Sequence, residues 1–246
     1  MERDVADGTF WCARALDFID SVEAVGTLEQ VAALFEKEIA QAGFSAFIMC
    51  GLPDATTSFQ NRIIANGWSA EWSAIYLKED LARYDPVERY CLQSAEPFDW
   101  SQAPYDPETE PRAHDVMRRA RDFKMAQGFC VPIHYGDGPG AAISIAGERP
   151  ELGRGIRPAM HLMALYAHHR MRSLLRPHPI KKVLTDRERE VLAWIAMGKS
   201  SWETSVILGL SERTVNWFIA EAAQKLDASN RTQAVVNAIR TRELKI

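Results

Sequence analysis

Six side chains in a short stretch near the C-terminus combine positive charge, hydroxyl groups and planar hydrogen-bonding groups. Lysine and hydroxyl side chains near the start of a helix suit phosphate oxygens, because helix N-termini also attract anions. Arginine, asparagine and tryptophan early in a helix suit base edges in a major groove. The candidates for phosphate contact are Lys199, Ser200 and Thr214, and those for base contact are Arg213, Asn216 and Trp217. Their chemistry predicts DNA binding, provided that helices begin near residues 200 and 211.

The surrounding sequence predicts four helices over residues 185–246, with no strand. Thr185 and Glu188 have the spacing of a capping box. The predicted helices begin after Thr185, after Ser200 or Ser201, after Ser211 and near Arg231, and they end near Gly198, Leu208, Leu226 and Arg240. Two short helices joined by a turn at Gly209 have the layout of a helix-turn-helix. The third helix, 212–226, is then the one that carries the base-contact candidates.

This region resembles the LuxR-type helix-turn-helix over nearly its whole length. The matching segments are LTDREREVL at 184–192, GK at 198–199, ILG at 207–209, SERTVN at 211–216, KL at 225–226 and NRT at 230–232. The resemblance implies framework roles for three residues. Glu188 would orient the first helix, Leu192 would fill the core, and Gly198 would allow the turn.

The third helix departs from the family pattern. The family usually has Phe or Val followed by His where this chain has Trp217 and Phe218. Ala220 and Glu221 occupy positions where basic residues are common. We therefore expect one domain alone to bind DNA modestly and specific binding to need a dimer.

Charge is distributed unevenly along the 246 residues. The net charge of −4 argues against a protein that coats nucleic acid through charge alone. Residues 181–246 contain eleven Lys and Arg against eight Asp and Glu, a net charge of +3, which leaves −7 for residues 1–180. This asymmetry favours an anionic partner at the C-terminal end.

Cysteine spacing and hydropathy exclude several other classes. The four cysteines form no C-x-x-C pair, so neither a zinc knuckle nor a thioredoxin-like site is indicated, and no metal is expected. We expect buried free thiols in a reducing cytoplasm. No apolar run approaches ~18 residues, so we expect neither a signal peptide nor a membrane partner.

The first 175 residues predict an α+β domain. Helical spacing covers 13–24, 27–42, 71–81 and 156–175, and strands are predicted at 44–50, 61–65, 129–134 and 141–146. Thr27 and Gln30 can form a capping box, and Gly43 ends that helix. The last two strands flank a loop rich in Gly, Asp and Pro, which predicts an antiparallel pair. We therefore predict an α-β-α sandwich, in which helices cover both faces of an antiparallel sheet and bury its apolar side chains.

These patterns also predict the domain boundaries. Pro177 and Pro179 disfavour helix in a charged segment, so we expect domains at 1–175 and 184–246 joined by a linker at 176–183. A phosphoryl receiver needs acidic residues after strands in a repeating βα pattern. The strand at 44–50 is not followed by that layout, so a receiver domain is not indicated.

The spacing of six residues in this domain resembles the autoinducer-binding domain of quorum-sensing LuxR receptors, over about residues 10–176. The matching positions are Trp72, Tyr76, Asp85-Pro86, Trp100 and Gly128. The resemblance implies an N-acyl homoserine lactone ligand, which offers two carbonyl acceptors and one amide donor. Taken singly, each position has a structural explanation, such as core packing or a turn.

The residue chemistry agrees with such a ligand. The Trp72 indole is a donor and suits the lactone carbonyl, whereas ionised Asp85 accepts only and suits the amide N–H. Tyr76 and Trp100 supply aromatic walls. Ser144 resembles the family's hydroxyl that meets the acyl carbonyl.

Trp68 is a departure within this domain. The family often has Tyr there, which bonds the acyl carbonyl, and Trp68 keeps a donor but adds bulk. The segments FWCARALDF at 10–18 and NGW at 66–68 are similar to a subgroup whose signals include branched or aromatic acyl groups. The resemblance thus implies a short, bulky or aryl acyl chain, as in an aroyl homoserine lactone.

Together these patterns predict a cytoplasmic, ligand-responsive transcriptional regulator without a cofactor. The resemblance implies a homodimer that binds a palindromic promoter site and works with RNA polymerase. One alternative is an orphan receptor of the same fold that answers another small molecule or a foreign signal. Another is a lactone hydrolase using Ser144 with His134 or His114, but the chain has no G-x-S-x-G elbow and no metal-binding histidine cluster. The adjacent His168 and His169 are expected to be solvated.

Overall fold

The computed structural model describes residues 2–53, 57–135, 138–153, 155–175 and 183–244. Contacts divide the chain into two compact units, one formed mainly by the N-terminal part of the chain and one by the C-terminal part. The predicted linker lies outside the described residues, apart from Val183. In the described ranges, no helix is both long and apolar enough to cross a membrane.

The N-terminal unit is built on a five-stranded sheet with the order β2-β1-β5-β4-β3. Its strands are β1 (Ala46–Gly51), β2 (Ile63–Asn66), β3 (Phe98–Asp99), β4 (Gln127–Tyr135) and β5 (Gly138–Gly147). β1 is antiparallel to both β2 and β5, and β3 is antiparallel to β4. The predicted antiparallel sheet is confirmed.

Helices cover both faces of this sheet. They are α1 (Glu2–Ala24), α2 (Leu28–Gln41), α3 (Phe59–Arg62), α4 (Ala70–Lys78), α5 (Pro86–Cys91), α6 (Pro111–Asp122) and α7 (Ile156–Leu175). Side chains of α1, α2 and α7 pack on one face, and those of α3 to α6 pack on the other. The predicted α-β-α sandwich is therefore correct.

Strand alternation decides which side chains meet which layer. In β1, Phe47 and Met49 belong to the core with α1, α2 and α7, whereas Ile48 and Cys50 face α3 to α6. In β5, Ile143 and Ile145 belong to the same core, against α1, α2 and α7. The second face of β5 carries small residues, namely Ala142, Ser144 and Ala146, which leaves room beside that face.

Several predicted boundaries needed correction. The first helix begins at Glu2 rather than at residue 13. The strand predicted at 61–65 is present as β2 but begins at Ile63, because residues 61–62 end the short helix α3. The helix predicted to reach residue 81 ends at Lys78, and Leu81–Arg83 forms a separate 3₁₀ turn. β3, α5 and α6 were not predicted. β3 and α5 are too short for a periodic signal, and α6 buries only Ala113, Val116 and Ala120.

The C-terminal unit is entirely helical in its described part, as predicted. Its helices are α8 (Asp186–Ala196), α9 (Ser201–Leu208), α10 (Glu212–Lys225) and α11 (Arg231–Arg240). Thr185 and Ser200 each form a complete capping box, and Ser211 caps α10. Gly209 has a φ of +64° and Gly198 a φ of +84°, conformations that favour glycine at both turns.

Two buried carboxylates hold the helices of this unit together. Glu188 accepts a hydrogen bond from the Thr185 backbone N–H and two from Lys225 Nζ, at 2.7 and 2.9 Å, so it joins the start of α8 to the end of α10. The Glu243 carboxylate accepts hydrogen bonds from the Leu184 backbone N–H and from the Arg189 guanidinium. Leu192 is fully buried. These contacts agree with the framework roles that the resemblance implies for Glu188 and Leu192.

Gly43 provides a test of the turn between α2 and β1. It has a φ of +80°, and an added Cβ would lie 3.3 Å from both the Arg149 carbonyl oxygen and Pro150 Cα. We expect Gly43→Ala to lower the free energy of unfolding by about 1–2 kcal/mol or more, because an L-residue is strained there. Gly26→Ala is the control, since an added Cβ at Gly26 meets nothing within 4 Å. Urea denaturation followed by circular dichroism compares the two, and equal stabilities would contradict the prediction.

Candidate functional site

A pocket lies between the small-residue face of the sheet and helices α3 to α6. All six predicted ligand-binding residues line it: Trp68, Trp72, Tyr76, Asp85, Trp100 and Ser144. The rest of its wall is mostly apolar and includes Ile48, Phe59, Val87, Val116, Met117 and Ala142. The structure thus brings together residues that are up to 76 positions apart in the sequence.

Asp85 is held in a fixed orientation. As the N-cap of α5, its Oδ1 accepts hydrogen bonds from the backbone N–H of Val87 at 2.8 Å and of Glu88 at 3.4 Å. Its Oδ2 accepts from the Tyr76 hydroxyl at 2.8 Å. Burial raises the pKa of Asp85, and burial together with the Asp85 charge raises that of Tyr76 well above its usual value. Tyr76 is therefore a positioning donor as well as the aromatic wall that was expected.

Ser144 is held by Trp100. The Trp100 indole Nε1 donates to Ser144 Oγ at 2.9 Å. Because the indole can only donate, the hydroxyl acts as acceptor in this bond and keeps its own proton for another acceptor in the pocket. The predicted aromatic wall at Trp100 thus also orients the predicted hydroxyl donor.

Gly128 explains how Trp100 reaches this position. Asp99 pairs with Phe129 between β3 and β4, so Trp100 follows beside Gly128. A Cβ at Gly128 would lie 2.3 Å from Trp100 Cε2, a distance that packed atoms do not adopt. Gly128 is not a turn glycine, because it lies within β4 and leaves space for the indole.

Trp68 belongs to an aromatic cluster that closes one side of the pocket. Its ring stacks on Phe59 with centroids 6.1 Å apart and lies 4.8 Å from the Tyr76 ring. Trp72 is 5.6 Å from Tyr76 and 5.2 Å from Phe123. The bulk that distinguishes Trp68 from the family's usual Tyr therefore narrows the pocket at this side.

Sequence reasoning missed Glu88 and Arg62, which form an ion pair at the same pocket. Arg62 Nη2 lies 2.7 Å from Glu88 Oε1, and both side chains are largely buried. The available signal was the position of Glu88 three residues after Asp85, which puts both on one side of a short helix. Arg62 gave no comparable signal, because it precedes Glu88 by many residues.

The cysteines are buried free thiols, as expected, except for Cys12, which is exposed. Cys91 and Cys130 come together in the pocket wall with their sulfur atoms 3.2 Å apart. Burial raises the pKa of Cys130 well above its usual value, so its thiol stays protonated. Within the described residues, no cluster of three or more His, Cys, Asp or Glu could hold a metal ion.

The base-contact candidates form an exposed surface on α10. Arg213, Asn216 and Trp217 are all exposed, and Trp217 is 54% accessible. The side-chain amide oxygen of Asn216, Oδ1, accepts a hydrogen bond from Ser201 Oγ at 2.7 Å, which links α10 to α9. Phe218, the neighbour of Trp217, packs against the core instead. The two aromatic residues of this departure from the family pattern therefore have different environments.

The phosphate-contact candidates lie at the starts of α9 and α10. Ser200 caps α9 and Lys199 precedes it, with Lys199 Nζ 3.3 Å from Glu203 Oε1. The Thr214 hydroxyl is 2.7 Å from the Ser211 hydroxyl in the first turn of α10. Each group is near a helix N-terminus, where backbone N–H groups add positive potential.

The two units define a class of protein. A buried pocket with oriented hydrogen-bonding groups occupies one unit, and an exposed helix of a helix-turn-helix occupies the other. This is the organisation of a ligand-binding transcriptional regulator.

Comparison with known proteins agrees with this class. Residues 27–171 match the "Autoinducer binding domain" family, and residues 182–238 match "Bacterial regulatory proteins, luxR family". The quorum sensing-dependent transcriptional regulator RpaR of Rhodopseudomonas palustris is 47% identical to this chain, and the alignment covers 96% of each of the two chains. The transcriptional activator BjaR1 of Bradyrhizobium diazoefficiens is 44% identical over 92% of this chain and 94% of its own. The chain belongs to the LuxR family of quorum-sensing transcriptional regulators with an autoinducer-binding domain.

A solved structure shares the fold. The crystal structure of Escherichia coli SdiA superposes with a TM-score of 0.73 at 20% identity and covers 97% of this chain and 99% of its own. The predicted fold class, α+β with a C-terminal four-helix LuxR-type domain, is thus correct.

The hydrolase alternative fails, because the relatives are transcriptional regulators. The geometry gives it no support either. Ser144 bonds Trp100, and His134 Nε2 bonds the Ser94 carbonyl oxygen at 2.8 Å.

The expectation of solvated histidines was wrong for His168, which is buried. Its burial and the positive charges of Arg172 and His169 lower its pKa to about 4.

The close approach of Trp100 to Gly128 provides a second test. We expect Gly128→Ala to lower the free energy of unfolding by about 1–3 kcal/mol, because the new methyl group displaces the indole. In a Trp100→Ala background the same change should cost far less, since the clashing ring is absent. Urea denaturation of the four proteins gives the coupling energy. Equal costs in both backgrounds would show that Gly128 acts independently of Trp100.

Proposed function

We propose that the pocket binds an N-acyl homoserine lactone and that the ligand-bound protein regulates transcription. The observation that carries the proposal is the convergence of Trp72, Asp85 and Ser144 on one pocket. In the proposed complex the Trp72 indole donates to the lactone carbonyl and the Asp85 carboxylate accepts from the amide N–H. The Ser144 hydroxyl, oriented by Trp100, donates to the acyl carbonyl.

We further propose a short, bulky or aryl acyl group. The stacking of Trp68 on Phe59 supports this, because the two stacked rings narrow one side of the pocket. Flat or branched acyl groups pack against aromatic walls with little loss of rotational freedom.

DNA binding completes the proposed function. In this scheme Arg213, Asn216 and Trp217 reach base edges, and Lys199, Ser200 and Thr214 contact phosphates. A homodimer places two copies of α10 about one DNA turn, ~34 Å, apart, which suits a palindromic promoter site. RNA polymerase is the expected further partner, and the cytoplasm is the expected location. In this proposal the ligand-binding domain covers residues 1–175, the linker 176–183 and the DNA-binding domain 184–246.

A lactone panel tests the ligand. A ligand that binds only the folded protein raises stability by RT ln(1 + [L]/Kd), about 2.7 kcal/mol at hundredfold excess. We expect aroyl and branched homoserine lactones to raise the melting temperature by several degrees and long linear ones to raise it less. Asp85→Asn should remove most of the shift, because the amide N–H loses its charged acceptor. Acyl amides of the same chains without a lactone ring are the matched ligand controls.

Three outcomes of the panel are informative. A preference for long linear chains would contradict the proposed acyl group. Equal shifts with lactones and ring-free amides would contradict recognition of the lactone. A panel without any shift would favour the orphan receptor that answers a different small molecule.

Base contact is tested with a binding site selected from random DNA. We expect Arg213→Ala and Asn216→Ala each to weaken binding to the selected site about tenfold or more, because each removes a contact to a base edge. Ser201→Ala is the control for Asn216, since it removes only their mutual hydrogen bond. Gln224→Ala, exposed near the end of α10, is a general control. Fluorescence anisotropy measures all four, and unchanged specific binding of both test variants would contradict the assignment.

A further inference from the structure

The pocket contains a second buried carboxylate that the proposed lactone contacts do not use. Glu88 lies on α5, three residues after Asp85, and lines the pocket together with it. Its side chain is 11% accessible, and that of its partner Arg62 is 8% accessible. Arg62 is fixed in turn, since its Nη1 donates to the Gly51 carbonyl oxygen at 2.7 Å and its guanidinium lies 5.2 Å from the Phe59 ring.

Glu88 is charge-paired but incompletely hydrogen-bonded. Arg62 Nη2 lies 2.7 Å from Oε1, and no other described group donates to that oxygen. Burial raises the pKa of Glu88 to about 7, although the charge of Arg62 and its hydrogen bond to the carboxylate both lower it. A carboxylate oxygen has two lone pairs, so a buried one that faces a single guanidinium nitrogen gains from a ligand that supplies a second donor.

The position of Glu88 relative to the proposed headgroup contacts follows from the strand register. Ser144 is opposite Ile48, and Ala142 is opposite Cys50, two positions further along the same face. Arg62, the ion-pair partner of Glu88, donates to the carbonyl oxygen of Gly51, the residue after Cys50, so the carboxylate lies near that end of β1. Two strand positions span about 7 Å. If the acyl carbonyl of a ligand bonds the Ser144 hydroxyl and its acyl chain lies over Ala142, the end of the chain therefore points toward Glu88.

We propose that Glu88 is a specificity-determining residue at the far end of the acyl pocket and that it accepts a hydrogen bond from a hydroxyl group on the acyl chain. The proposal rests on the proposed function, because the lactone headgroup sets the direction of the chain. The ligand class is an N-acyl homoserine lactone with a hydroxyl on its distal part.

The opposite charges of Glu88 and Arg62 favour a ligand whose hydrogen-bond donor is uncharged. Glu88 and Arg62 together carry no net charge, so an ammonium group would bring an uncompensated positive charge into a buried site. A carboxylate on the ligand would be repelled by Glu88. A hydroxyl donates without adding charge, and its bond to an ionised oxygen is stronger than one between neutral groups.

Two matched ligand pairs test the proposal. They are phenylacetyl- with 4-hydroxyphenylacetyl-homoserine lactone, and 3-phenylpropanoyl- with 3-(4-hydroxyphenyl)propanoyl-homoserine lactone, which cover two chain lengths. We expect the hydroxyl to tighten binding to the wild-type protein about tenfold in at least one pair, measured by isothermal titration calorimetry at pH 7.5. In Glu88→Gln this advantage should fall at least threefold, while affinity for the hydroxyl-free ligand changes less than twofold.

The controls separate specificity from stability. Glu88→Gln preserves the shape of the side chain, and Glu71→Gln, exposed on α4, should leave every affinity unchanged. Should Glu88→Gln fail to fold, Glu88→Leu combined with Arg62→Leu replaces both charges and should abolish the hydroxyl advantage.

The outcomes distinguish this inference from the proposed function. If the hydroxyl-free lactones bind and the hydroxyl adds nothing in either pair, only the role of Glu88 is overturned. If the advantage survives in Glu88→Gln undiminished, Glu88 is likewise not the acceptor. If none of the four lactones binds, the proposed function fails and the inference fails with it.

Discussion

The site depends on the alternation of side-chain size across the two faces of the central sheet. On one face, large residues such as Phe47, Met49 and Ile143 fill the core against α1, α2 and α7. On the other face, Ala142 and Ser144 are too small to fill the space below α3 to α6. Because strand geometry sends neighbouring residues to opposite faces, the same ten-residue strand, β5, contributes to a dense core and to the floor of a pocket.

The polar groups of that pocket are constrained by the cost of leaving them unpaired. The bond from Tyr76 to Asp85 and the bond from Trp100 to Ser144 each satisfy one partner and fix the orientation of the other. Both leave capacity for a further contact, since the carboxylate has more than one lone pair and the hydroxyl keeps its proton. Such preorganisation lowers the entropic cost of binding, because fewer side chains are ordered when the ligand arrives.

Much of this architecture could be predicted from the sequence, and the rest depends on contacts that sequence does not display. Capping residues such as Thr185 and Ser211 and the glycine at Gly43 act locally, so their signals lie within a few residues of the elements they delimit. Arg62 and Glu88, or Cys91 and Cys130, meet only because the sheet and α5 bring distant segments together. β3 and α5 are held by tertiary packing, and their length is too small for periodicity to reveal them.

The composition of α10 has a consequence for how the proposed regulator uses its ligand. Ala220 and Glu221 lie on a helix whose cations are Arg213 near its start and Lys225 at its end, and Lys225 is paired with Glu188. This helix therefore offers few free charges to phosphates, and nonspecific affinity for DNA rises steeply with the number of phosphates neutralised. Linking two C-terminal units makes the second binding event intramolecular and multiplies the affinity without any new contact. Each unit has its own hydrophobic core, so ligand binding in the first does not have to rebuild the second. In the proposed mechanism a lactone that stabilises the N-terminal unit acts by raising the population of folded, dimer-competent chains, and α10 needs no change of conformation.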